Sequence, residues 1–236
     1  MPDSIRSSAK RGIRRNVWFP VFLASLNFRC KYMDTVAVID FETTGMSPNL
    51  GDRATEVAAV IVENGRIIDR YQSLMNTGAY IPAFIEELTG ISNAMIRKAP
   101  PAKQVMSELA RFVGDAPLVA HNAAFDSRFL DAELSRIAHQ RQQKFACSML
   151  LARRIYPAAP DHKLGTLVRF LDLPSAARHH RALADAEMTA HLWVKMLSEL
   201  KNQHGLSAAP HELLCALQKL PKAKIAGYLE KAGRSL

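Results

Sequence analysis

Short apolar runs alternate with stretches of helical periodicity along this chain. Val36-Ala-Val-Ile39 has the β-branched character of a buried strand and runs straight into Asp40-Phe-Glu42. After a loop over Ser47–Gly51, a second run, Thr55 to Val62, ends at Glu63-Asn-Gly-Arg66. The Asn-Gly pair there is a two-residue hairpin signal, and Ile67 to Leu74 returns as a third strand. Pro82 to Leu88 reads as a short helix with proline in its first turn, and Ser92 can cap another turn. Ala102 to Val113 is amphipathic, with Val105, Leu109, Phe112 and Val113 on one face and Gly114 as its stop. Leu118–Ala120 is a fourth strand, followed by a helix reaching about Ala138, and Phe145–Cys147 is a fifth strand. Helices are expected over Ser148–Tyr156 and Lys163–Leu171, and then from Arg181 to about Lys201. The last of these offers Leu183, Ala186, Ala190, Trp193, Val194 and Leu197 to the core. Three antiparallel strands followed by alternating helices and strands predict an α/β fold with a mixed sheet.

The ends differ from this body. Residues 1–33 carry Arg6, Lys10, Arg11, Arg14 and Arg15 ahead of an apolar run, Val17 to Phe28, broken by Pro20. The run is too short to span a membrane, and no small-residue cleavage site follows it. The expected organisation is a basic, apolar leader over 1–33 outside the fold, with Met33 as the natural start, a folded domain over 34–202, and a helical extension over 203–236. The extension holds two amphipathic segments, Leu213–Leu220 and Ala223–Leu229, split by Pro221. Packing on the body and binding a partner remain equally open for them.

Charge follows the same division. The chain carries a formal net charge of +9, with seven basic and two acidic residues in 1–34 and six basic and two acidic in 201–236. The body between them is neutral, so the high pI is weak evidence that the body itself binds nucleic acid. Three cysteines, Cys30, Cys147 and Cys215, without C-x-x-C spacing, argue against a disulfide framework or a zinc site and fit a reducing cytoplasm.

The chemistry lies in carboxylates. On a strand, Asp40 and Glu42 project to one face while Ala37, Ile39 and Phe41 project to the other. Two carboxylates side by side on a buried strand repel and lose hydration, and a hard divalent ion, Mg²⁺ or Mn²⁺, suits such an oxygen-only pair. Taken alone, the pair also fits a solvated strand end. His121-Asn-Ala-Ala-Phe-Asp126 places another carboxylate in the first turn of a helix, where it would complement the helix dipole. In His180-Arg-Ala-Leu-Ala-Asp185, five helical positions turn through about 500°. The two side chains therefore converge only if His180 sits on the incoming loop and Asp185 in the helix. His162 reads as an ordinary loop histidine.

Together, and in this order, the three motifs resemble the DEDDh family of 3′–5′ exonucleases on the ribonuclease-H-like fold, over roughly Thr35 to Leu200. Within that family, Asp40-Phe-Glu-Thr-Thr-Gly-Met46 and His121-Asn-Ala-Ala-Phe-Asp126 are most similar to the proofreading epsilon subunit of bacterial DNA polymerase III. So are Ala152-Arg-Arg-Ile-Tyr-Pro157 and Lys163-Leu-Gly-Thr-Leu167. The resemblance implies a five-stranded mixed sheet, three strands antiparallel and two parallel, and two Mg²⁺ or Mn²⁺ ions held by Asp40, Glu42, Asp126 and Asp185. Two ions about 4 Å apart would hold the scissile phosphate, activate a water and stabilise the leaving oxygen. His180 matches the family's general base, a role that suits imidazole near neutral pH. Phe41, Thr43, Thr44, Gly45 and Met46 match the segment that holds the terminal nucleotide, and His121 and Asn122 match positions lining the site.

The activity implied is release of nucleoside 5′-monophosphates from a single-stranded 3′ end of DNA, in proofreading or repair. A DNA polymerase catalytic subunit is the implied protein partner, the location is cytoplasmic, and no membrane is involved. Two alternatives stand beside this: an RNA exonuclease of the ribonuclease T or oligoribonuclease type, and a scaffold subunit that has lost catalysis. Thr43-Thr44 favours the DNA side, and the five intact motif residues argue against the scaffold. Thr89-Gly-Ile91 stands where the family often has His-Gly-Ile, which alters a side chain facing the terminal nucleotide.

Overall fold

In the computed structural model, which describes residues 35–175, 181–206 and 208–233, alternation along the first strand sorts side chains onto two faces. On β1 (Val36–Thr43), Val36 and Val38 enter one buried cluster, while Ala37, Ile39 and Phe41 enter another. β2 (Ala54–Glu63) divides in the same way, with Ala58, Val60 and Val62 on the first face and Val57, Ala59 and Ile61 on the second. Continuous apolar composition is what a strand covered on both faces requires. β3 (Arg66–Leu74) returns antiparallel through the Asn64–Gly65 turn, where both residues have positive φ, as a type I′ turn demands.

β4 (Leu118–Ala120) and β5 (Phe145–Cys147) are parallel additions, giving one sheet in the order β3-β2-β1-β4-β5. The sheet, three strands antiparallel and then two parallel, is the mixed ribonuclease-H-like arrangement that the resemblance implied.

Between β3 and β4 the chain forms α1 (Ala83–Thr89), α2 (Asn93–Lys98) and α3 (Ala102–Val113). The side chain of Ser92 accepts from the amide of Met95, so it caps α2. α3 and α4 (Ala123–Ser135) bury Val105, Leu109, Phe129 and Leu130 against the second face. On the first face lie α5 (Ser148–Ile155), α6 (Leu164–Phe170) and the 23-residue α7 (Ala182–His204). α7 contributes Ala182, Ala186, Ala190, Trp193 and Met196 to that core. Small residues at four-residue spacing let a long helix lie close against the flat middle of a sheet. The helix expected to reach Ala138 stops at Ser135, and Ala138 takes a positive φ in the turn that follows.

The C-terminal segment packs on the body. α8 (His211–Leu217) and α9 (Ile225–Gly233) place Leu213, Leu214, Leu217 and Leu229 in the first-face cluster. Gln218 seals the outer edge of β5: its Oε1 accepts from the Cys147 amide at 2.6 Å and its Nε2 donates to the Phe145 carbonyl at 3.2 Å. A side-chain amide thus stands in for the missing neighbouring strand. The leader at 1–33, read from the sequence as lying outside the fold, falls outside the described residues.

Candidate active site

The carboxyl end of β1 runs past β4. The last paired residues of those two strands are Val38 and Val119, so Asp40 and Glu42 project beyond the point where β4 has turned into α4. Their side chains share the face covered by the first turn of α7, which carries Asp185. One oxygen from each of Asp40, Glu42 and Asp185 lies within 4.8 Å of the others. Two segments of the chain, separated by more than 140 residues, thus converge on one point.

Asp126 enters from α4. It is 2% exposed, and its Oδ1 accepts a hydrogen bond from the Phe41 amide at 3.2 Å. That bond ties the first turn of α4 to β1 between the two strand carboxylates. The residue before this helix, Asn122, holds a left-handed conformation with φ of 67°, which asparagine tolerates better than most side chains.

The electrostatics follow from this crowding. Burial raises the Asp40 carboxyl well above its usual range, and the charges of Asp126, Asp185, Glu42 and Glu56 raise it further. Burial, then Asp185 and Glu56, pushes Glu42 up to about 8. Burial pushes Asp126 up to about 7, opposed by its bond to the Phe41 amide. Oxygen ligands that are half-buried or buried and mutually repelling fit hard divalent cations, whose charge would reverse each of these shifts.

This has a measurable consequence. In the unfolded chain these groups ionise near pH 4. Between there and about pH 8 the folded, metal-free protein holds more protons than the unfolded chain, so its stability falls as pH rises through that window. The melting temperature in EDTA should decline from pH 5 to pH 8.5. Mg²⁺ or Mn²⁺ should recover several degrees at pH 8, since roughly 2–4 °C corresponds to each kcal/mol in a protein of this size. A melting temperature indifferent to pH and to metal would contradict a cation site here.

The remaining predicted residues fall into distinct environments. Phe41 is buried in the second-face cluster. Thr43 donates from Oγ1 to the Gly45 carbonyl at 2.6 Å, and Thr44 Oγ1 accepts from the Arg53 amide at 3.0 Å, so both hydroxyls shape the β1–β2 loop. Met46 is 72% exposed. His121 has both ring nitrogens engaged, Nδ1 with Ser148 Oγ at 2.9 Å and Nε2 with the His162 carbonyl at 3.0 Å. Burial lowers its pKa to about 4, so it stays neutral. Asn122 is exposed at the head of α4, and His179 and His180 lie outside the described residues.

Gly45 has a structural reason that the sequence does not reveal. A β-carbon there would stand 2.4–2.5 Å from the Asp52 carboxylate, which accepts from the Ser47 amide at 2.9 Å. Gly45→Ala must push that carboxylate aside, and it should cost about 1–2 kcal/mol through the lost hydrogen bond. Adding Asp52→Ala to Gly45→Ala should cost less than the sum of the two single changes, measured by denaturant melts.

Several residues here carry no motif. Glu56 stands opposite Glu42 across β1 and β2, on the same face. Arg53 pairs with the buried Glu133 of α4 through Nε at 2.7 Å and Nη2 at 2.8 Å, and donates to the Thr77 carbonyl. This pair braces the β1–β2 loop against α4. The available signal was faint: one acidic residue inside the apolar run Ala54-Thr-Glu-Val-Ala-Ala-Val-Ile-Val62, and one inside the apolar face of α4.

Comparison with known proteins gives the family. The family model described as Exonuclease, of the RNase T type, matches residues 37–193. The chain belongs to this exonuclease family. It is 36% identical over 211 residues to the 3′-5′ exonuclease DinG of Bacillus subtilis (strain 168), covering 81% of this chain and 22% of that protein. It is 38% identical over 208 residues to the PolC-type DNA polymerase III of the same strain, covering 84% of this chain and 14% of that protein. The chain thus spans a small part of these relatives' length. Among solved structures, exonuclease X in complex with 5′-overhanging duplex DNA superposes with a TM-score of 0.61 at 27% identity, over 78% of this chain and 99% of that one. The nuclease domain of 3′hExo, a DEDDh family member bound to rAMP, shares the fold with a TM-score of 0.63 at 20% identity, over 76% and 97% of the two chains.

Proposed function

We propose that this chain is a metal-dependent 3′–5′ exonuclease that removes nucleoside 5′-monophosphates from the 3′ end of DNA in proofreading or repair. The observation that carries the reading is the meeting of Asp40, Glu42 and Asp185 at one point, with Asp126 locked beside them. A half-buried cluster of like charges is costly unless it holds cations. The four carboxylates would hold two Mg²⁺ or Mn²⁺ ions. Such a pair, when bound, supplies charge stabilisation to the attacking and leaving oxygens of an in-line displacement.

The rest is the work of the chain itself. His180, directly ahead of Arg181 at the head of α7, takes the proton of the attacking water. The strand end from Thr43 to Met46 seats the terminal nucleotide, with the loop fixed by the Thr43 and Thr44 hydroxyls and the exposed Met46 thioether offered to the base. Asn122 lies along the path of the strand. His121, kept neutral and doubly hydrogen-bonded, positions the loop at His162 beside it. The protein partner is a polymerase catalytic subunit, in keeping with the PolC-type relatives, and the site of action is the cytoplasm. Among the described residues no helix is long and apolar enough to cross a membrane.

The test is digestion of matched single-stranded DNA and RNA oligonucleotides, labelled at the 5′ end, in Mg²⁺, Mn²⁺ or EDTA. A ladder shortening from the 3′ end with release of mononucleotides, faster on DNA and absent in EDTA, is expected. Faster digestion of RNA would give the chain to the ribonuclease T type. Full activity in EDTA would overturn the two-metal reading.

A further inference from the structure

Glu56 is 1% exposed and carries four donors on its carboxylate. Oε1 accepts from Gln72 Nε2 at 2.8 Å and from Arg181 Nη2 at 2.7 Å. Oε2 accepts from Arg181 Nε at 3.1 Å and from the Ala182 amide at 3.1 Å. The first of these bonds ties in β3, and the other three reach the start of α7.

The helix start lacks a local cap. Arg181 stands at the N-cap position of α7 with extended backbone and makes no side-chain cap bond. The first N–H groups of a helix lack partners within it, and a neighbouring serine, threonine or aspartate ordinarily satisfies one of them. Here a carboxylate 126 positions earlier in the chain takes that role. A negative charge at this end also complements the helix dipole, and the fork of Arg181 offsets that charge in a geometry a lysine cannot copy.

We infer that Glu56, through its fork with Arg181 and its cap on Ala182, is a positioning residue that sets the register of α7 against β1. Asp185 sits one turn inside that helix, and its amide donates to the Arg181 carbonyl at 3.1 Å. The clamp therefore fixes where the helix carboxylate stands against the strand. Glu56 does not itself touch the reacting groups: both of its oxygens are taken. Its effect runs through what it holds, as outer-shell partners of metal ligands do.

This inference rests on the exonuclease reading, so the experiment uses one readout that needs no activity and one that does. Glu56→Gln keeps the size and the acceptor for Ala182 but loses the charged fork, and Arg181→Met removes the other half. Without substrate, the expected results are amide exchange at Ala182–Asp185 at least about tenfold faster and Mn²⁺ affinity by calorimetry weakened, within the ~10–100-fold range typical of such partners. With substrate, kcat should fall by a similar factor while KM for DNA stays within about threefold, since the strand-end loop is untouched. The double variant should lose little more than the worse single one. Wild-type exchange at α7 together with wild-type Mn²⁺ affinity in Glu56→Gln overturns the inference, and so does an unchanged kcat. A wild-type protein without nuclease activity defeats the exonuclease reading alone. The clamp is then still decided by exchange and Mn²⁺ affinity.

Discussion

Asp40→Asn should abolish exonuclease activity, by at least about 10³-fold, while making the metal-free protein more stable at pH 8. The two effects have one cause. Asp40 lies among Asp126, Asp185, Glu42 and Glu56, and both burial and these charges oppose its ionisation. Above neutral pH, in EDTA, folding must force that charge into the cluster. An amide of the same shape removes one charge and relieves the repulsion on Glu42 and Asp126 as well. The melting temperature of Asp40→Asn in EDTA should therefore exceed wild type at pH 8, converge with it near pH 5, and respond less to Mg²⁺. A site residue whose neutralisation stabilises the resting protein is strained for function, and a residue that merely packs would do the opposite. Equal or lower stability of Asp40→Asn at pH 8, or retention of activity, would remove Asp40 from the centre of the site.

Much of this arrangement was legible from residue order. Alternation along Val36–Phe41 predicts two faces, and the structure buries Val38 on one and Ile39 on the other. The Asn-Gly pair fixed the β2–β3 hairpin because that turn geometry admits few residues. The motif carboxylates were visible because short spacings encode local direction, on a strand for Asp40 and Glu42 and in a first helical turn for Asp126. What stayed hidden is long-range. Glu56 looks like a stray charge in a strand until Arg181 arrives 125 residues later to meet it. His121 looks like an open site histidine until Ser148 and the His162 carbonyl take both of its nitrogens. Gly45 shows in the sequence only as part of the Thr43–Met46 segment, and the Asp52 carboxylate that leaves no room for a side chain there is visible in the fold alone. The segment after His204 was ambiguous because amphipathic helices pack equally well on a partner. Gln218 bonding to β5 decides in favour of the body.

His180→Ala should lower turnover by about 10²–10⁴-fold, the usual contribution of a general base, while His179→Ala stays within a few-fold of wild type. Both residues lie outside the described part of the structure, so the expectation comes from spacing. Adjacent residues of an extended segment point to roughly opposite sides, so one of the two histidines is expected to face the carboxylates and the other away. His180 stands five residues before Asp185, the separation the family pattern uses, and His179 stands six before it. Metal binding separates the roles further, because His180 is proposed to move a proton and not to ligate. Mn²⁺ affinity should be unchanged in His180→Ala, and its pH–rate profile should lose the limb that rises through the imidazole range near pH 6.5. Turnover of both variants at saturating Mg²⁺, followed from pH 6 to 9, measures this. If His179→Ala is the inactive one, the loop enters α7 one residue out of the proposed register. The pairing of His180 with Asp185 must then be reassigned with it.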